Sequence, residues 1–222
     1  MSESIEQLKD RAKQIVRILK AEYADAKCTL DFSTCHELMV AAILAAQCTD
    51  ERVNQVTPEL FRKYQSIEAF ANADYNELEL IVRPTGFFRN KTKAIIESAK
   101  QIVTDFSGKV PENMDELTSL SGVGRKTANL IVGVCYGKPA VIVDTHVKRV
   151  SGRLGLTQNK DPEKIEVDLW KILPPEDSTM FNHLIVAHGR AVCKAPTPIC
   201  EICKLLNLCP YGQERMAKKL DI

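Results

Sequence analysis

Four of the eight cysteines of this 222-residue chain crowd near its C-terminal end: Cys193, Cys200, Cys203 and Cys209, spaced C-x6-C-x2-C-x5-C. Four thiolates drawn from one loop suit Zn²⁺ or an iron–sulfur cluster. Zinc sites favour two separated C-x2-C pairs, or histidines at the second pair. Here there is a single C-x2-C behind a wide first gap, which makes a broad loop around a bulkier group. Upstream, Lys126 follows Gly122-Val123-Gly124-Arg125, and Asp144 stands 18 residues further on. A lysine beside Arg125 in the first turn of a helix meets like charge and the positive end of the helix dipole. Both favour the uncharged amine. Such an amine can attack an electrophilic carbon and form a Schiff base, and a carboxylate can support a developing cation. Taken singly, each residue has a plainer role: a solvated surface lysine, and an aspartate that caps a helix.

The elements that must position these groups read as helices almost throughout. Ile5, Leu8, Ala12, Ile15, Val16 and Leu19 form one apolar stripe, with Ser4 and Gln7 as a capping box. Thr34 with Glu37 marks a helix over His36–Gln47. Asp74 with Glu77 opens another, closed by Pro84 and Gly86. An amphipathic stretch covers about Asn90–Phe106 and ends at Gly108. Asp161 before Pro162 reads as an N-cap followed by proline at the first helical position. Only Ala140–Val143 looks extended, and no period-2 alternation is long enough for a sheet. The expected fold is all-α, with about ten helices and short loops.

Between Leu117 and Val132 the two glycines place a tight turn between helical segments. Gly122 and Gly124 are expected to take backbone conformations that a Cβ disfavours, with Val123 plugging the interface beneath. The first amides of the second helix then face outward as a phosphate site. Charge agrees locally. The net charge is only +1, yet residues 1–119 carry 15 basic and 19 acidic groups whereas residues 120–222 carry 15 and 10. Arg125, Lys126, Lys138, Lys148, Arg149 and Arg153 face one acid, Asp144, between Leu120 and Gln158. A polyanion would be held by such a patch. Cys28, Cys35, Cys48 and Cys135 are scattered among apolar residues and read as small hydrophobes. No apolar run approaches the ~20 residues that span a bilayer. The polar opening MSESIEQLKDRAKQIV predicts no secretory signal, hence a cytoplasmic, nucleoid-associated protein if the source is bacterial or archaeal.

The string Leu120-Ser-Gly-Val-Gly-Arg-Lys-Thr-Ala128, followed by Val143-Asp-Thr-His-Val147, resembles the endonuclease III family of helix-hairpin-helix DNA glycosylases. The cysteine spacing resembles that family's [4Fe–4S] motif, and the likeness covers about residues 5–212. Ser121 departs from it, since many members have proline there; this is expected to loosen the turn slightly. The resemblance implies a six-helix barrel over residues 29–140, with the hairpin at about 114–135, and an iron–sulfur lobe made of 1–28 plus 141–222, its cluster loop at 193–209. Lys126 and Asp144 would face each other across a groove between these lobes.

The resemblance also implies base excision coupled to lyase cleavage. Lys126 would be the nucleophile and Asp144 the supporting carboxylate, acting as a monomer on duplex DNA containing damaged pyrimidines or abasic sites. Gln47, in Leu44-Ala-Ala-Gln-Cys-Thr-Asp50, would fill the gap left by an extruded base. Phe87 or Phe88 would pry the opposite strand, although leucine is more usual at the first of these positions. Gly122, Gly124, Arg125, His146 and Lys194 would touch the DNA backbone, His146 alternatively orienting Asp144 or simply packing. The four cysteines would hold the cluster as an architectural element. The rival readings are a non-catalytic iron–sulfur DNA-binding or redox protein, and an adenine-mismatch glycosylase, a branch that usually lacks this lysine.

Overall fold

Short polar side chains hold the first free amides of most helices, so helix starts follow local sequence closely. The computed structural model describes residues 3–220. In α1 (Ile5–Glu22) the capping box forms in full: Gln7 N donates to Ser4 Oγ and Ser4 N to Gln7 Oε1. Thr34 caps α2 (Cys35–Leu44), Thr49 α3 (Asp50–Lys63), Ser66 α4 (Ile67–Ala71) and Asp74 α5 (Tyr75–Val82). The next helix, α6 (Phe88–Asp105), starts from Phe87 without a side-chain cap. Asn113 caps α7 (Met114–Ser119), while α8 (Arg125–Cys135) starts from Gly124 with none. Asp144 caps α9 (Thr145–Arg153) and Asp161 caps α10 (Pro162–Ile172). A 3₁₀ turn at Pro175–Asp177 leads into α11 (Ser178–Ala191), and α12 (Pro210–Leu220) follows the cysteine loop.

The chain is all-α, with no strand among the described residues. Among the described residues there are twelve α-helices where about ten were expected, the short α4 and α7 adding to the count. Ala140–Val143, the one stretch expected to be extended, forms no strand. Side chains of α11 serve its backbone instead: Ala140 N donates to Ser178 Oγ (3.0 Å), and Asn182 Nδ2 donates to Ile142 O (3.2 Å).

The chain divides into two compact units. One runs from Cys28 to Lys138 and is built on α2, whose Leu38, Met39, Val40 and Ala41 are all buried. A helix apolar on every side belongs at the centre of its unit, and α3, α6 and α8 pack on this one. The other unit joins residues up to Lys27 with those from Pro139. There Ala12, Ile15, Val16 and Leu19 of α1 pack with Val147 and Val150 of α9, Leu169 of α10 and Phe181 of α11. Ile5, placed on the same stripe by its spacing, is 50% exposed and lies beyond that core. Cys28, Cys35, Cys48 and Cys135 are half-buried rather than packed away. Cys135 and Cys35 share a hydrogen bond, and burial pushes the Cys135 thiol up.

Candidate functional site

The loop after α11 draws Cys193, Cys200, Cys203 and Cys209 around one cavity, with Val150, Leu154, Ile199, Leu206 and Tyr211 also lining it. Burial pushes the thiols of Cys200, Cys203 and Cys209 up, and each is raised further by the charge of its neighbours in the cluster. Four thiolates so placed need a cationic group among them. Among the described residues no three His, Cys, Asp or Glu side chains close on a point that could hold a single metal ion. All four cysteines line this one cavity, so their thiolates form a donor set able to hold a cationic group there. Gly212 completes the cradle: its N–H donates to Cys209 Sγ (3.3 Å), and a Cβ there would press on Leu206 at 3.1 Å. His188, buried beneath, lies between Tyr23 Oη (3.1 Å) and Cys203 Sγ (3.7 Å). Burial pushes its imidazole down to about 4.

This loop also redirects part of the basic patch. Arg153 donates to Lys194 O (2.8 Å), Pro196 O (3.0 Å) and Cys193 Sγ (3.4 Å), and its guanidinium stacks over Tyr211. Arg149 donates to the carbonyls of Gly189 and Cys193. Lys138 pairs with Glu112 at 2.8 Å. The patch expected from counting charges is therefore smaller: two arginines tie down the cysteine loop, and the six residues divide between the two units. Lys194 is exposed, its backbone carbonyl held by Arg153.

In the other unit, α7 and α8 form the hairpin. Gly122 has φ +75°, and a Cβ would fall 2.6 Å from Ala94 Cβ, so the turn requires glycine there. Val123 is buried as the plug. Gly124 corrects the expectation: its φ of −88° and ψ of 174° suit any residue, and no atom lies within 4 Å of where a Cβ would sit. What Gly124 contributes is a helix start with no side-chain cap. Ser121 does not loosen the turn. Its N–H, which proline would lack, donates to Gln101 Oε1 (2.9 Å), and its hydroxyl donates to Glu97 Oε2 (2.8 Å). Arg125 and Lys126 are exposed in the first turn of α8, and Cys28 lies within electrostatic reach of Lys126.

Asp144 fills its plainer role in full view. Oδ1 accepts from Val147 N at 2.7 Å as the cap of α9, while Oδ2 lies 3.4 Å from His146 Nδ1. His146 is packed over Gly189, where a Cβ would meet its ring at 2.9 Å. His183, from α11, is a neighbour that the sequence did not reveal: burial pushes its imidazole down, and Asp144 partly opposes this. No local signal could have joined two residues on separate elements. Lys126 and Asp144 belong to different units.

Gln47 and Phe87 share an unusual backbone. Gln47 has φ 53° and Phe87 φ 46°, left-handed values that only a few per cent of non-glycine residues adopt. This turn at Gln47 ends α2 at Leu44, three residues short of the expected boundary. Gln47 is exposed and Phe87 is 62% exposed. Phe88, in contrast, is half-buried between the guanidinium groups of Arg83 and Arg89, both 5.7 Å from its ring centre. Of the two aromatics, Phe87 is therefore the tip.

Comparison with known proteins agrees with this architecture. Residues 40–175 match the HhH-GPD superfamily of base excision DNA repair proteins. Endonuclease III of Synechocystis is 52% identical over 206 residues, covering 92% of this chain and 94% of that protein. Endonuclease III of Bacillus subtilis is 45% identical over 199 residues, covering 89% and 91%. Among solved structures, a non-covalent endonuclease III–DNA complex and a trapped covalent endonuclease III–DNA intermediate each superpose with a TM-score of 0.88. Each is 40% identical and covers 94% of this chain and 98% of the other. A thermostable thymine-DNA glycosylase, 21% identical, shares the fold with a TM-score of 0.81. At these identities and coverages, the chain belongs to the endonuclease III family of the HhH-GPD superfamily.

Proposed function

We propose that the protein is a base excision repair glycosylase with associated lyase activity, acting on oxidised or saturated pyrimidines and on abasic sites in duplex DNA. The observation that carries this is the start of α8. A glycine turn leaves the first amides of that helix uncapped, and Lys126 stands exposed in the first turn. The amide N–H groups donate to a DNA phosphate, which brings a deoxyribose to the lysine. Family membership supports the same chemistry, since one relative's structure is a trapped covalent intermediate with DNA.

In this mechanism Nζ of Lys126 attacks C1′, and the glycosidic bond breaks with its electron pair leaving on the damaged base, which takes up a proton. Opening of the sugar ring gives a C1′ Schiff base with Lys126. The iminium acidifies the C2′ proton. Its removal expels the 3′ phosphate and cuts the strand on that side. Asp144, held by Val147 N and bordered by His146, supports the cationic sugar and manages the lysine proton. Gln47 enters the gap left by the extruded nucleotide, and Phe87 presses on the opposite strand. Arg125, Lys194 and the amides at Gly122 and Gly124 meet phosphates.

Cys193, Cys200, Cys203 and Cys209 would hold a [4Fe–4S] cluster, which supplies a cross-link for the loop and no reacting atom. The protein would do this work on the nucleoid in the cytoplasm; no described helix is long and apolar enough to cross a membrane.

The test is borohydride trapping and incision on duplexes containing thymine glycol or a preformed abasic site. Lys126→Gln is expected to abolish trapping at both while retaining binding. Persistent trapping in that variant would remove Lys126 from the role.

A further inference from the structure

Lys91, in the first turn of α6, is 4% exposed, and its ammonium is buried. Burying a charge is costly unless it finds partners. Its hydrogen-bond partners are backbone carbonyls. Nζ donates to Leu44 O at 2.8 Å and to Thr85 O at 2.7 Å. Burial accordingly holds the amine below the usual lysine range. An apolar side chain of the same length would fill this space without the desolvation cost, so the ammonium must do something that packing cannot.

The two carbonyls identify what that is. Leu44 is the last residue of α2, whose terminal carbonyls lack intrahelical partners. Thr85 closes the 3₁₀ turn at Arg83–Thr85. Three residues after Leu44 stands Gln47, and two residues after Thr85 stands Phe87. Both are exposed, and both are left-handed without being glycine. Left-handed non-glycine residues persist only where surrounding structure over-determines them. Lys91 also meets the second loop through its backbone, its N–H donating to Phe87 O at 3.2 Å.

From this geometry we infer that Lys91 is a positioning residue for lesion extrusion: one buried ammonium clamps the Gln47 loop and the Phe87 loop together and sets the spacing between their tips. The inference rests on the reading above in which these loops probe duplex DNA. Extrusion requires a gap to be filled on one strand while the other is pried, so the two tips must arrive together. A misplacement of ~1 Å far from the chemistry can cost about 10²-fold in rate. Lys91 touches neither the sugar nor the reacting amine, and its effect should be confined to the extrusion step.

The test uses the full chain with its cluster in single-turnover experiments on two duplexes, one with a paired thymine glycol and one with a preformed abasic site. Lys91→Met keeps length and apolar bulk but loses both donors. It should slow base excision by about 30- to 100-fold. It should change borohydride trapping at the abasic site, where no pair has to be broken, by less than about threefold. A 2-aminopurine opposite the lesion should lose its fluorescence rise in step with excision. Lys91→Gln, whose amide carries two N–H donors, should recover part of the loss. Should the Met variant fail to fold, by circular dichroism and cluster absorbance, the Gln variant is read on the same two duplexes. Wild-type excision by the variant that folds, or equal slowing on both duplexes, overturns the inference. Gln47→Ala is run alongside. If it excises normally, the lesion-probing reading itself fails; if it is slow while the Lys91 variants are not, only the clamp fails.

Discussion

The starts of α8 and α9 solve the same problem in opposite ways. Both helices leave amides without intrahelical partners. At α9 the carboxylate of Asp144 takes up the need, accepting from Val147 N at 2.7 Å. At α8 the capping residue offers no side chain, because it is Gly124. Side-chain caps also serve α1 to α5, α7 and α10, which makes the start of α8 an exception, at a cost of roughly a few tenths of a kcal/mol because glycine is itself a tolerated cap. α6, starting from the left-handed Phe87, and α11, starting from Asp177, are exceptions too. Of these three starts, those of α6 and α8 lie in the segments proposed to face DNA, whereas that of α11 follows directly from a 3₁₀ turn. The lesson is that a start without a cap gains its meaning from what stands beside it, as Lys126 does in the first turn of α8.

The comparison can be broken most severely at Asp144. Asn caps a helix as well as Asp does. Asp144→Asn should therefore leave the thermal midpoint almost unchanged while single-turnover excision falls by about 10²–10³-fold. Asp144→Ala should show the same loss of rate plus about 1 kcal/mol of instability by urea denaturation. Equal activity in wild type and Asp144→Asn would reduce Asp144 to a cap and nothing more.

At the other start, Gly124→Asp supplies the cap that α8 lacks, in open space and at an unstrained φ. The expectation is a protein as stable or slightly more so, binding duplex DNA at least about tenfold more weakly, since a charged hydrogen bond to phosphate is worth about 1.5–3 kcal/mol. Unchanged affinity would mean that phosphate does not sit there.

Gly122→Ala sharpens the contrast between the two glycines. Its Cβ would strike Ala94 and its φ is positive, so urea denaturation should show a loss of about 1–3 kcal/mol. The smallest effect is expected at Ser121. Removing its hydroxyl with Ser121→Ala breaks the bond to Glu97 and should cost about 0.5–1 kcal/mol, with DNA affinity unmoved.

Much of this molecule was legible because its signals are local. A cap and its amide lie three residues apart, so Ser4, Thr34, Asp74 and Asp161 announce their helices whatever the rest of the chain does. The cysteine spacing and the Gly122–Lys126 string are likewise read along a few residues, and the family follows from them. Charges are legible only as counts. Nothing along the chain distinguishes Arg125, exposed at a helix start, from Arg153, turned onto the carbonyls of the cysteine loop.

What the chain order settled was the helices announced by local caps, the turn between α7 and α8, and the spacing of four clustered thiols. Only the folded arrangement decided which polar groups face each other across long sequence separations: His183 near Asp144, Ser121 on Glu97, and Lys91 beneath two loops more than forty residues apart. The reason is burial. A side chain's charge and hydrogen bonds are set by what surrounds it, and in Lys91 an amphipathic helix pattern that promises a solvated lysine yields a dry one, because α6 packs on α2 just where two carbonyls need a donor.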